Sequence, residues 1–231
     1  MKITNVEIFI TNPGMDGLDE SFSESIKFFG KNLIFVKIDT DIGITGWGEC
    51  YSQSDRDTQI TSHVEKIKKY LIDYNPLNIR NFILGAQRDF SNKRPSMDFW
   101  CAVSGIEIAM WDIIGKYYEQ PVYNLLGGKI REKIKVYANG WATSLEEEDL
   151  SKNALEMVNN RGFKALKFDP FTGPWEDWPE NEILFEASKR VEVVRETVGP
   201  EIDILIEVHR RLSVSKAQIF TKSIEKYKPF W

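Results

Sequence analysis

The first half of the chain carries two rhythms of apolar and polar positions. Lys2 to Ile10 alternates with a period of two, as does Leu33 to Asp39, which is the pattern of half-buried strands. Asp41-Ile42-Gly43 supplies a turn, and Ile44 to Glu49 follows as a third strand, so a small antiparallel sheet is expected. Loops are expected at Asn12 to Asn32 and at Cys50 to Asp57. Apolar residues then recur at helical spacing in Ile60, Val64, Ile67 and Leu71. His63 stands beside that face and reads as a surface or boundary histidine. The strongest helix is Phe99 to Tyr118, with Val103, Ile106, Met110, Ile113 and Tyr117 on one broad face. Leu125-Leu126-Gly127-Gly128 closes this region.

From Lys133 the rhythm becomes strand, helix, strand, helix. Strands are expected at Lys135 to Asn139, Gly162 to Asp169 and Ile202 to His209. Helices are expected at Leu145 to Asn160, Asn181 to Val198 and Ser213 to Tyr227, the last capped by Ser213. Pro229-Phe230-Trp231 reads as the first residues of a fourth strand. Repeated βα units of about 30 residues argue for a parallel sheet or a (β/α) barrel. A complete (β/α)8 barrel takes about 250 residues, so three units and the start of a fourth are expected here. The chain therefore divides into an α+β domain over residues 1–128 and an α/β domain over residues 129–231.

Composition narrows the partners. The chain has 231 residues, with 42% hydrophobic and 28% charged, enough to bury a core and stay in solution. Its 30 Lys and Arg stand against 35 Asp and Glu, a balance with no basic footprint for nucleic acid and no polybasic run for a membrane surface. No apolar run has bilayer-spanning length, and the first residues lack a signal-peptide cleavage region. Cys50 and Cys101 lie far apart without metal-ligand spacing, and read as two reduced thiols in a cytosolic protein.

Candidate chemistry gathers at the strand ends. In ILIEVHRR, Ile204, Ile206 and Val208 share one face, while Leu205, Glu207 and His209 share the other. In the preceding strand Leu166 and Phe168 point one way, and Ala165, Lys167 and Asp169 the other. Tyr137 and Asn139 share a face near the same end of the first strand. A strand end leaving the core carries charge for solvation alone, but three neighbouring strands agree here, and active sites assemble at such ends. Glu207 and His209 offer a carboxylate for a hard cation beside an imidazole for proton transfer. Lys167 and Asp169 offer either a positive charge held by a carboxylate or a plain ion pair. Arg210 and Arg211 either bind an anionic substrate or are solvated. Trp175 and Trp178 read as packing for the loop after the second strand.

The segments VKIDTDIGITGWGE, SGIEIAMWDIIGK, PVYNLLGGKIREKIKVYANG, GFKALKFDPF and ILIEVHRR, in that order, resemble the mandelate racemase branch of the enolase superfamily, and within it the acid-sugar dehydratases, especially archaeal gluconate dehydratases. The resemblance implies an α+β cap over a (β/α)7β barrel, of which this chain carries the cap and the first three βα units. It implies Mg2+ held by carboxylates ending successive strands, with Glu207 at the first ligand position, where most relatives carry aspartate. His209 matches the residue proposed as general acid, and Lys167 the first lysine of a Lys-x-Lys motif. Asp169 replaces the second lysine, which counts against a racemase. Both loops match the cap segments that close over substrate. Asn139 and Arg210 are expected to bind substrate. The further metal ligands and the opposing base are expected after Trp231. The implied partner is a small sugar acid, in a homo-oligomeric, cytoplasmic full-length enzyme. A racemase or cycloisomerase of the same superfamily, or a non-catalytic remnant, is the alternative.

Overall fold

The computed structural model describes residues 1–11, 32–52, 56–91, 95–171, 179–209 and 211–231. The expected loop at Asn12 to Asn32 lies outside these residues except for Asn32, as do residues 53–55 of the second loop, both loop tryptophans and Arg210. The chain divides into two compact units, Met1–Ile130 and Arg131–Trp231.

In the first unit, β1 (Ile3–Thr11), β2 (Leu33–Thr40) and β3 (Thr45–Cys50) form an antiparallel sheet in that order. Alternation sends Val6, Ile34, Val36 and Ile38 into the core. Helices α1 (Asp57–Leu71), α2 (Ile79–Ser91), α3 (Met97–Tyr117) and the short α4 (Val122–Leu125) follow. The α1 stripe of Ile60, Val64, Ile67 and Leu71 is wholly buried. Helix α2 was not expected from the pattern, although Ile79, Phe82, Ile83 and Ala86 recur at helical spacing, because Gly85 interrupts it. Ser96 caps α3 by accepting from the Phe99 N–H, and the buried Asp98 carboxylate pairs with Arg56, whose Nε lies 2.8 Å away.

What joins sheet to helix is the absence of side chains. Gly46 and Gly48 face α3, and a Cβ on Gly48 would lie 2.0 Å from the Gly105 carbonyl oxygen and 2.7 Å from the Ala109 nitrogen. Gly105 answers from the helix side, where a Cβ would meet Cys50 Sγ at 2.3 Å. The backbones therefore approach closely enough for polar ties: the Trp47 N–H donates to Asp112 Oδ2 at 2.9 Å, and Lys116 Nζ donates to the Thr45 carbonyl at 2.7 Å.

In the second unit, β4 (Ala165–Phe168) and β5 (Asp203–Ile206) pair in parallel. Helices α5 (Glu147–Leu155), α6 (Glu180–Val198) and α7 (Val214–Ile224) accompany them, and Ser213 caps α7 as expected. Leu150, Ala154, Leu166, Phe168, Ala187, Val191, Ile204 and Phe220 lie in one core. Three expectations are revised here. The strand expected at Lys135 to Asn139 is reduced to a single bridge between Ala138 and Leu166, because residues 131–137 are exposed. The helix expected to Asn160 ends as α-helix at Leu155 and continues as one wide π turn over Glu156–Asn160. The third strand stops at Ile206 rather than His209.

Phe230 and Trp231 hydrogen-bond along β5: the Phe230 N–H donates to the Ile204 carbonyl at 2.7 Å, and the Ile206 N–H to the Trp231 carbonyl at 2.8 Å. Arg195 braces this arrangement by donating to the carbonyls of Gly199, Ile202, Tyr227 and Lys228.

Two glycine substitutions should act in opposite directions. Gly48→Ala drives a methyl into helix backbone and should lower stability by about 1–3 kcal/mol, the range of core overpacking. Gly85→Ala meets nothing within 4 Å and should raise stability by roughly 0.5–1 kcal/mol through helix propensity. Thermal unfolding of the two variants beside the parent measures both.

Candidate active site

The parallel register sets Lys167 opposite Leu205 and Phe168 opposite Ile206, and the Glu207 N–H continues the ladder by donating to the Phe168 carbonyl at 3.0 Å. Leu166, Phe168, Ile204 and Ile206 turn into the core, so Lys167 and Glu207 project from the other face at adjacent strand ends. Their side chains meet with Lys167 Nζ 2.9 Å from Glu207 Oε2. The other carboxylate oxygen, Oε1, accepts the His209 N–H at 3.0 Å. These two bonds, the lysine's above all, hold the Glu207 carboxyl down to about 2. Lys167 is also flanked by rings: its ammonium lies 6.0 Å from the Tyr137 centroid and 5.9 Å from that of Trp231, distances at which an aromatic face attracts a cation.

A second cluster sits beside the first. Asp169 follows β4, and its Oδ1 accepts the Phe171 N–H at 2.8 Å, an Asx turn that fixes the carboxylate. Oδ2 lies 2.7 Å from His209 Nδ1 and also accepts from Arg211 Nη1. Asp169 is 10% exposed, so its carboxylate is served chiefly by these donors. An ionised carboxylate only accepts, so Nδ1 carries the hydrogen and Nε2 is left for another partner.

The expected pairing of Lys167 with Asp169 is thus replaced by two crossed pairs, Lys167 with Glu207 and Asp169 with His209. The expected shared strand face of Glu207 and His209 is also revised. His209 lies in a turn at φ 42°, a left-handed conformation uncommon outside glycine, and this turn lets its backbone meet Glu207 while its ring reaches Asp169. Asn139, beside the bridging Ala138, is exposed, and among the described residues no hydrogen bond ties it to either pair. Arg210 lies outside the described residues. Arg211 is the arginine seen at the site, and Tyr137 and Trp231 are the lysine's neighbours. The position of Tyr137 beside Asn139 in the first strand was its sequence signal, while nothing local marks Trp231.

Residues elsewhere are quieter. His63 is half-buried with its ring edge-on to Phe99 at 5.6 Å, and burial lowers its proton affinity. Both cysteines are free and buried, and burial pushes the Cys50 thiol up to about 12. Among the described residues no helix is long and apolar enough to cross a membrane. No group of three or more His, Cys, Asp or Glu comes together there to hold a metal ion, whereas a hard cation takes about six oxygens. Glu207 fits as one oxygen donor of such a set: it is anionic, 27% exposed and at a strand end.

Residues 10–127 match the mandelate racemase / muconate lactonizing enzyme N-terminal domain, and residues 149–231 match the enolase C-terminal domain-like family. The chain is 35% identical over 199 residues to a D-gluconate dehydratase of Thermoproteus tenax, covering 86% of this chain and 39% of that protein. It is 31% identical over 204 residues to a D-gluconate/D-galactonate dehydratase of Picrophilus torridus, covering 88% of this chain and 51% of that one. Among solved structures, a mandelate racemase/muconate lactonizing enzyme from Sulfitobacter sp. superposes with a TM-score of 0.81 at 31% identity, covering 100% of this chain and 59% of that one. The chain thus spans about half the length or less of these curated relatives, and the fold is that of an N-terminal cap domain with part of the C-terminal domain.

The Glu207 shift has a stability consequence. Its folded value is depressed, so the stabilisation is fully present above the ordinary value of 4.5 and is lost as pH falls through about 2. In metal-free buffer, denaturant unfolding between pH 5 and 2 should show a shallower loss of stability in Glu207→Gln than in the parent. Identical slopes would remove the paired carboxylate as a contributor.

Proposed function

The chain belongs to the mandelate racemase / muconate lactonizing enzyme family, and on that premise we propose that the full-length protein dehydrates a sugar acid of the gluconate or galactonate type to a 2-keto-3-deoxy sugar acid. The observation that carries this reading is the placement of an ammonium, a carboxylate and a carboxylate-held imidazole at two adjacent strand ends. Dehydratase relatives at 35% and 31% identity support it.

The chemistry follows from charge. Removing the proton alpha to a carboxylate builds an enediolate, which water stabilises poorly. Lys167, fixed by Glu207 and two rings, presents a cation to that developing charge. Magnesium is the cation this reading calls for, and when bound it supplies Lewis-acid stabilisation of the same oxygens. Glu207 is the one ligand these residues provide. The beta-hydroxyl leaves as water only with a proton, and His209 is the donor in reach of neighbouring chemistry, with Asp169 holding its Nδ1 so that Nε2 faces the reaction. The enol left behind becomes the 2-keto product by taking a proton at C3. Asp169 and Arg211 orient the imidazole, and Asn139 and Arg210 remain proposed contacts for the sugar chain. The base that takes the alpha proton is not among the described residues. The reading carries with it a cytoplasmic homo-oligomer of the full-length protein.

A screen of full-length protein against sugar acids, with and without Mg2+, tests the reaction, and the absence of a 2-keto-3-deoxy product from every acid would sink it. Epimerised or cyclised product without loss of water would replace it with the isomerase reading. His209→Asn isolates the acid, since asparagine tolerates the left-handed backbone and cannot donate a proton as imidazolium does. Dehydration should fall by about 10²- to 10⁴-fold, while exchange of the alpha hydrogen with deuterated water persists. Near-normal dehydration in this variant would remove His209 from the role.

A further inference from the structure

The two oxygens of Glu207 are both engaged, one by the Lys167 ammonium at 2.9 Å and one by the His209 N–H at 3.0 Å. A divalent cation approaching this carboxylate therefore meets a positive charge already in contact with it. That charge cannot simply drift away. Lys167 is 15% exposed, its ammonium lies between the Tyr137 and Trp231 rings, and its backbone is fixed on both sides by the ladder to Ala138 and β5. Charges this close interact strongly when partly shielded from water, and two like charges sharing one carboxylate repel.

We propose that Lys167 is the resident counter-ion of Glu207, so that its ammonium and a divalent cation compete for the same carboxylate and Lys167 sets the affinity for the metal. This rests on Glu207 being the cation ligand of the function proposed above. Lys167 has a second consequence there: cation binding releases its ammonium from Glu207 while the two rings keep it in place, presenting it to an anionic partner. The metal and the anion are then linked through one side chain, each favouring the other.

The test is ion binding rather than product formation. Free Mn2+ is read by electron paramagnetic resonance with the purified 231-residue chain, Lys167→Met, Lys167→Arg and the double variant Lys167→Met/Glu207→Gln. Methionine keeps the length and the apolar stem and removes the charge, so Mn2+ affinity should rise by roughly tenfold, the change that about 1.4 kcal/mol represents. Arginine keeps the charge and should stay near the parent, and the double variant should lose the gain. Lys167→Met binding no tighter than the parent, including no binding by either, overturns the competition, as does a gain that survives Glu207→Gln. A second measurement needs no variant. Saturating Mn2+ should raise the acylation rate of Lys167 in the unaltered chain several-fold, read by peptide mass spectrometry, and an unchanged rate overturns the proposal even where Lys167→Met fails to fold. Unchanged Mn2+ affinity removes the competition and leaves dehydration standing, whereas failure to dehydrate any sugar acid leaves the measured affinities intact.

Discussion

The parallel register between β4 and β5 is the constraint on which the site depends. Two residues at the end of each strand can meet in only a few ways, and this register places Lys167 beside Glu207 rather than beside its own neighbour Asp169. A shift of one residue would turn Lys167 and Glu207 into the core and bring Leu166 and Ile206 out, exchanging a paired charge for an unpaired buried one. The apolar face of the strands thus enforces the polar constellation opposite it. Leu166, Phe168, Ile204 and Ile206 contribute nothing to chemistry directly, yet their burial decides which charges touch.

Each carboxylate is then completed by groups from different parts of the chain. Glu207 takes a side-chain cation from β4 and a backbone N–H from its own turn. Asp169 takes a backbone N–H from its own turn and side chains from beyond β5. The arrangement is reciprocal: each strand end supplies an acid whose donors come partly from the other. The left-handed backbone at His209 is what makes this possible, since one residue then serves Glu207 through its amide and Asp169 through its ring.

Much of this was legible in the sequence, for reasons that differ by element. The three antiparallel strands and the α1 and α3 helices announced themselves because burial on one face imposes a period. The placement of Lys167 and Glu207 on one face of neighbouring strands followed from the same alternation. Alternation fails where a strand ends, so it could not show that His209 leaves the strand at φ 42°, nor that its ring turns to Asp169. Pairing between residues forty positions apart has no local signature, and Arg211 could not be told from Arg210 by pattern alone. The strand expected at Lys135 to Asn139 was overstated because Val136 and Tyr137, though β-favouring, remain exposed; β propensity describes a fit to a half-buried surface that those residues do not have. Helix α2 was missed for the opposite reason, a glycine inside an otherwise periodic face.

The chain holds only two histidines, and they fall one in each compact unit, His63 edge-on to Phe99 in the first and His209 against Asp169 in the second. Each imidazole is therefore a private spectroscopic reporter. The ring protons of His63 sit in the shielding field of a phenyl group and follow the packing of α1 on α3, whereas the Nδ1 proton of His209 follows one carboxylate. Changes in the two sets of resonances can be assigned to their units without isotopic labelling of anything else, so the molecule carries its own means of telling a disturbance of the antiparallel unit from one at the catalytic strand ends.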